Sequence, residues 1–577
     1  MFKGFRQFAL FILLGSATLA ALDVYPVRDV QPGMKGRALT ILHGEEKIEF
    51  DVDILGVLSE IAPDYPIVLG RMNHPDLESA GIVAGMSGSP VYIDGKLLGA
   101  IAYGWGFSKE PFCGITPAEV MLQRRAIRTI PLPPYDRVIS LARTSKWEEL
   151  LSLITDTAAS ASAGYSSLTP LPLLLHGPAF SMTSPYFEAL GCTVSGGGGM
   201  KATSTPLHSL EPGDAVAAAM VIGPQSLFAS GTVTSVEGED VMAFGHPFLG
   251  IGEVSFPMAR AHPVLTVPSL FRSFRMSNMG TIIGTFTHDG RSAVSGRLGE
   301  EARMIPVTIK ASPGRTESFR IADNPALAPM LAAWTLQTSL SGHPASGGTG
   351  TYELLQTMDL GESGSVTVRE NFSGDGALKE MSAYSIGVLA LLLQNPFQSV
   401  QLRSMDIEIG WDSKVSFARI RSLIPDHGRV TPGEKLSLAL SLVMNDGTER
   451  TEHLVTRVPA SPQGLGLTLY AVSGTSLGAL MDSLTKQSVS SYSGLLTFLH
   501  SLKPSNTLHL VWVSRRPGIR SEDLYIPEAG PRMKTLLQGG TNLPYSVSPE
   551  SALTFPYPVR GWEKIELAVH DHPGGGS

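Results

Sequence analysis

Cysteine is nearly absent: Cys113 and Cys192 are the only two in 577 residues. That excludes a cysteine-rich zinc site and a disulfide-dense scaffold. In an oxidising compartment the pair could form one bridge, or both could stay as free buried thiols; the sequence leaves both open. Charge is sparse too, with 17% of residues charged and a formal net charge of −8. No basic cluster with interleaved aromatics offsets that balance, which argues against a nucleic-acid partner. After the N-terminus no run of about 18 uninterrupted apolar residues occurs, so no later membrane-spanning helix is expected. There is no His-Glu-x-x-His helix, phosphate loop or dinucleotide fingerprint, and no cofactor or metal is expected. The Gly196 to Gly199 run lacks the lysine and helix of a phosphate loop and reads as a linker. His570, Asp571 and His572 read as a solvated tail.

What is abundant is glycine, with 61 residues, and proline, with 41. They follow no short period, so they read as tight turns between short strands. The apolar fraction of 43% fits a folded chain whose length suits several domains. The first residues stand apart. Lys3 and Arg6 precede the apolar run Phe8 to Leu14, and small residues follow at Gly15, Ser16, Ala17, Ala20 and Ala21. This is the order of a secretory signal peptide, with an uncleaved anchor as the alternative. No cysteine follows the apolar core, so a lipoprotein anchor is not expected. The mature chain is expected outside the cytoplasm, periplasmic or extracellular, with no stable membrane span. Sequence alone does not set its oligomeric state.

The expected fold is mostly β. Short apolar runs at 38–42, 50–55, 66–69, 91–93 and 97–103 alternate with turns, and Asp94-Gly95 between the last two is a strong hairpin signal. Residues 22–130 read as one β-barrel half closed by a helix over 117–127. Residues 131–214 read as a linker with helices, the 136–158 stretch having helical spacing. A second barrel half is expected over 215–349 and a β-sandwich-like domain over 350–475, with an apolar helix near 381–394. A C-terminal region with a loose tail covers 476–577. Leu210 to Val216 resembles a PDZ turn but lacks the rest of such a domain.

The sharpest local signal is Gly85-Met86-Ser87-Gly88-Ser89-Pro90. Small neighbours let a substrate carbonyl reach the Ser87 hydroxyl, and the N–H groups of Gly85 and Ser87 can form an oxyanion hole. A plain tight turn uses the same residue types. A serine nucleophile needs a base, and His246 in Phe244-Gly245-His246-Pro247-Phe248 has a suitable ordinary pKa.

At these residues the chain resembles the SpoIVB-type serine peptidases, relatives of the chymotrypsin-like clan. The stretch from Ala80 to Ala100 is similar to that family's nucleophile segment, and Gly114 to Leu122 to the end of the same unit. Gly231-Thr-Val-Thr followed by Ala243-Phe-Gly-His246 resembles its histidine segment, and Gly284 to Phe286 the strand after it. The resemblance implies two chymotrypsin-like barrel halves with a site in the groove between them. It also implies a serine endopeptidase acting on protein or peptide, with Ser87 as nucleophile, His246 as base and Gly85 and Ser87 as oxyanion donors. The family's order is histidine half first; here Ser87 comes first, so the halves read as circularly permuted. The third member of the triad stays open. Asp76 is the carboxylate nearest the family position, with His74 closer still but unable to serve as an anion. Asp289 is the other candidate, with an Asp-Gly turn as its plain explanation. Three functions follow: an exported endopeptidase, an inactive peptidase-fold envelope protein that binds or self-associates, and a self-processing enzyme cut around 158–167.

Overall fold

The computed structural model describes residues 22–570, apart from 63, 124, 127–128, 161–172, 178–180, 196–209, 460–465, 486–488, 516, 522–523, 528–529 and 537–540. The expected signal segment, the Gly196 to Gly199 run, Asp571, His572 and most of the expected self-cleavage region lie outside these.

The protein is mostly β, and its first unit is a closed barrel. The strands are β1 (Lys35–Thr40), β2 (Ile48–Ala62), β3 (Tyr65–Asn73), β5 (Pro90–Ile93), β6 (Lys96–Tyr103) and β7 (Phe112–Pro117), with the two-residue β4 (Val83–Ala84) outside the ring. They close in the order β1-β2-β3-β7-β6-β5. Alternation drives this closure: β1 buries Gly36, Ala38 and Thr40 and turns the residues between them outward. Asp94 and Gly95 both take positive φ, 50° and 79°, the conformation a two-residue hairpin with strand-matched twist demands. The helix expected over 117–127 is only α2 (Ala118–Met121), counting after α1 (Pro75–Ala80). The chain then leaves for the second barrel, where the Arg125 carbonyl accepts the Arg291 N–H at 2.6 Å.

The described part of the expected linker is structured. It holds α3 (Tyr135–Arg143), α4 (Trp147–Ser160), β8 (Leu173–His176), α5 (Ser184–Ala189) and β9 (Cys192–Ser195). The helical spacing over 136–158 is split in two at Ser145, whose φ is 53°. β8 pairs with the next unit's strand at Phe228 and Ala229, so this segment extends a sheet.

The second unit has β10 (Ala215–Ile222), β11 (Leu227–Glu237), β12 (Asp240–Ala243), β13 (Gly252–Val267), β14 (Ser273–Asp289) and β15 (Val294–Leu298). Their pairings run β10-β13-β14-β15-β12-β11, and β11 pairs back to β10, so these six also form a ring. Two six-stranded rings therefore stand where two barrel halves were expected.

Past the ring, β16 (Met304–Ala311) and β17 (Arg315–Ala322) continue the same sheet from β10. After α6 (Ala328–Leu340) come β18 (Gly350–Asp359), β19 (Ser365–Gly374), α7 (Ala377–Leu393) and β20 (Ser404–Asp412). β20 pairs parallel with β16 and antiparallel with β18, so 350–412 belongs to the second unit's sheet. All thirteen residues of α6 are buried, and α7 buries nearly its whole length beside it. The β-sandwich lies later than expected. A four-stranded and a five-stranded sheet drawn from 418–569 share one core built on Leu436, Leu438, Leu440, Leu469, Leu510 and Trp512.

Candidate active site

β4 positions the serine. It lies off its own barrel and pairs parallel with β14, Val83 opposite Ser273 and Ala84 opposite Phe274. The turn after it is thus held against the second barrel. Gly85 and Gly88 take φ of 104° and 98°, a region L-residues rarely occupy. Every carbonyl of the turn is engaged. Gly85 O accepts from Thr232 Oγ1 at 3.1 Å and from Arg275 Nη2. Met86 O accepts the Ser89 N–H at 3.0 Å, and Gly88 O accepts from Thr234 Oγ1 at 2.8 Å. Ser87 O accepts the Thr232 N–H at 2.8 Å. The Ser87 hydroxyl has no hydrogen bond among the described contacts, and Ser87 is 3% exposed.

Thr232 links this turn to the histidine. Its N–H holds Ser87 and its carbonyl accepts the Phe244 N–H at 3.3 Å. Beside that bridge Gly88 lies on the Phe244 backbone so closely that a Cβ would come within 2.5 Å of the Phe244 nitrogen. Phe244 and Gly245 then take φ of 71° and 68°, turning the chain sharply before His246. Thr116 of β7 donates to Gly245 O at 2.7 Å, tying this loop to the first barrel as well.

His246 is 2% exposed. Its Nδ1 lies 2.7 Å from Pro247 O. A carbonyl only accepts, so Nδ1 carries the proton and Nε2 keeps its lone pair, the tautomer a general base requires. Nε2 is buried without a hydrogen-bond partner. Burial pushes the imidazole pKa down to about 4, against a smaller opposing effect of the Pro247 bond, so the ring is neutral at pH 7.

Neither candidate acid bonds to His246 among the described contacts. Asp76 sits on the first turn of α1 with a side chain 59% exposed, 3.9 Å from His74 Nδ1. Asp289 is fully buried and binds the loop that follows His246: Oδ1 takes the Phe248 N–H at 2.8 Å, and Oδ2 takes those of Leu249 and Gly250 at 2.7 Å each. Burial raises its pKa to about 6, with these N–H bonds pulling the other way. The Pro247 carbonyl occupies the Nδ1 position that a triad carboxylate would take. Sequence reasoning did not single out Thr232, although it lies in the Gly231-Thr-Val-Thr motif, nor Arg275.

Both cysteines are buried, and burial pushes the Cys113 thiol up to about 12, so it offers no thiolate near neutral pH. Among the described residues no group of His, Cys, Asp and Glu is arranged to hold a metal, and no helix is long and apolar enough to cross a membrane. A pocket of about 50 Å³ lies beside Ala84, with Phe107 and Phe271 at its rim, their rings 5.2 Å apart. A cleft of about 670 Å³, without Ser87 in its lining, lies between α4, β19 and the C-terminal sandwich.

Residues 16–120 match the family model described as SpoIVB peptidase S55. No curated protein and no solved structure matches the chain significantly. The matched segment contains Ser87 and stops short of His246, so it does not bear on the order of the two halves. That match makes the serine-bearing barrel similar to the SpoIVB-type serine peptidases.

Proposed function

We propose that the chain is an exported serine endopeptidase in which Ser87 and His246 act together across the two barrels, in permuted order. Ser87 Oγ bonds to the carbonyl carbon of a peptide while His246 Nε2 takes the hydroxyl proton. The same proton passes to the departing amine, and water then releases the acyl group by the reverse sequence. The N–H groups of Ser87 and Gly85 receive the oxyanion. The observation that carries this reading is the Thr232 bridge, whose two backbone hydrogen bonds join the Ser87 peptide to the chain two residues before His246. The unpartnered Nε2 in the base tautomer supports it. Pro247 O orients the ring without adding a negative charge.

A second reading is supported by a separate observation. Ser87 and His246 are 3% and 2% exposed, and no carboxylate pairs with the imidazole among the described contacts. An inactive peptidase fold used for envelope binding has those properties.

Fluorophosphonate labelling of the purified protein separates the two readings. The endopeptidase labels at Ser87, loses labelling in Ser87→Ala, and slows by about a thousandfold or more in His246→Ala. A folded wild type that never labels establishes the second reading. The mass of the protein recovered from the cell envelope tests export, the expected mature chain beginning near Leu22. A purified sample that stays full-length while cleaving other proteins removes self-processing.

A further inference from the structure

Arg275 is an unusual residue for a fully buried strand position. It is 0% exposed, on β14, and it makes no ion pair among the described residues. Its guanidinium is spent on backbone carbonyls. Nη1 donates to Ile41 O at 2.6 Å, just past the end of β1, and Nη2 donates to Gly231 O on β11 at 3.0 Å and to Gly85 O in the serine turn. Nε has no partner. One side chain therefore fastens three chain segments, two from the first barrel and one from the second. It also fills the space beside Gly85, where a Cβ would come within 2.8 Å of Nε. Ser230 closes the far side, and its hydroxyl lies 3.2 Å from the buried His176 Nε2. Burial and the nearby Arg275 charge together push His176 down to about 4, so the histidine is neutral beside the cation.

A buried guanidinium without a carboxylate costs stability, because its charge is desolvated and answered only by dipoles. A well-packed apolar side chain is a better core residue at that position. Such a cost is retained where the group sets a conformation. The conformation at stake is that of Gly85. Its carbonyl is pulled into the second barrel by Nη2 and Thr232 Oγ1, which fixes the plane of the peptide leading into Met86 and Ser87.

We propose that Arg275 is a positioning residue for the nucleophile turn, holding the Gly85 carbonyl inward so that the Gly85 to Gly88 backbone keeps the shape that presents Ser87. Its role in turnover rests on the serine peptidase reading; its hold on the turn does not.

The test compares wild type with Arg275→Met, which keeps bulk and removes the donors, and Arg275→Lys, which keeps charge and fewer donors. The readouts are hydrogen exchange of a peptide covering 82–90, with one covering β6 as internal reference, and the rate and saturation of fluorophosphonate labelling. Expected in Arg275→Met is exchange of 82–90 at least tenfold faster with β6 unchanged. Labelling falls at least tenfold in its maximal rate and little in the half-saturating probe concentration; the lysine variant lies between. If Arg275→Met does not fold, Arg275→Lys carries the same comparison. Unchanged exchange at 82–90 in a folded variant overturns the proposal whatever the labelling does. Faster exchange in the variant beside a wild type that never labels sustains Arg275's hold on the turn and removes the peptidase reading instead.

Discussion

The contact between Gly88 and Phe244 makes a quantitative prediction about how tightly the serine and histidine segments are joined. In Gly88→Ala the new methyl meets Thr232 O at 2.0 Å and Phe244 N at 2.5 Å, both backbone atoms that cannot swing aside. The φ of 98° adds strain of about 1–2 kcal/mol for an L-residue. Overpacking adds about 1–3 kcal/mol, and moving the turn away stretches the Ser87–Thr232 and Gly88–Thr234 hydrogen bonds. The sum is about 2–5 kcal/mol. Gly95→Ala is the control: its φ is 79°, yet a Cβ there meets nothing within 4 Å, so strain of about 1 kcal/mol is the whole cost. Native-state hydrogen exchange of β5 and β6 measures both, because it reports opening of that barrel directly. At tenfold per 1.4 kcal/mol, Gly95→Ala speeds exchange about fivefold and Gly88→Ala between about thirtyfold and several thousandfold. Fluorophosphonate labelling falls in Gly88→Ala and holds in Gly95→Ala. Two variants that behave alike in exchange and labelling refute the reasoning, since they differ only in what the methyl touches.

Two further predictions follow from the same loops. His246 is held neutral down to about pH 4 against an ordinary value of 6.5, so its contribution to stability is present above pH 6.5 and is lost as pH falls toward 4. Labelling of Ser87 accordingly persists through pH 5.5 and fails nearer pH 4, whereas a decline centred on 6.5 contradicts the burial argument. Asp289→Asn places an amide donor or a single oxygen opposite the N–H groups of Phe248 to Gly250, costing about 2–4 kcal/mol and loosening the loop after His246. Full stability with labelling reduced about ten-thousandfold in that variant would instead mark Asp289 as the triad acid.

The turns of the candidate site were legible because their backbone chemistry is local. Gly85 to Pro90 declares a turn whatever surrounds it, and Asp94-Gly95 announces a hairpin. The apolar run near 381–394 became α7 because it is long enough to be a helix and carries no proline. What failed was assigning partners to strands. β18, β19 and β20 alternate as cleanly as the strands of the true sandwich at 418–569, and alternation says which face is buried without saying against what. The parallel pairing of β20 with β16 has no sequence marker. α6 offered none either, since a helix buried on every side has no periodic polar face. Segment 131–214 read as a linker from its prolines and small residues, yet Trp147 packs edge-on to Tyr384, 4.8 Å between rings, and carries α4 into the core. Arg275 left no trace in the sequence; only the fold shows it buried with Met276 36% exposed beside it, the reverse of what a core-facing strand prefers. Such local violations gather where function or conformation demands them.

The bonds that shape the serine turn also constrain how a substrate can reach it. Thr232, Thr234 and Arg275 on the second barrel all grip carbonyls of Gly85 to Gly88, and Thr116 on the first grips Gly245. Pulling the barrels apart to uncover Ser87 would break each of these at once and release the backbone that the proposed mechanism turns toward the oxyanion. Opening at the seam therefore destroys the site it exposes. The segments beside Ala84 carry no such obligation. The 104–108 loop and the tip joining β13 to β14 contact each other through Phe107 and Phe271, which are 73% and 57% exposed, with Leu270 92% exposed next to them. Displacing two exposed rings costs far less than breaking a set of buried hydrogen bonds, so these two loops can part while the barrels stay locked.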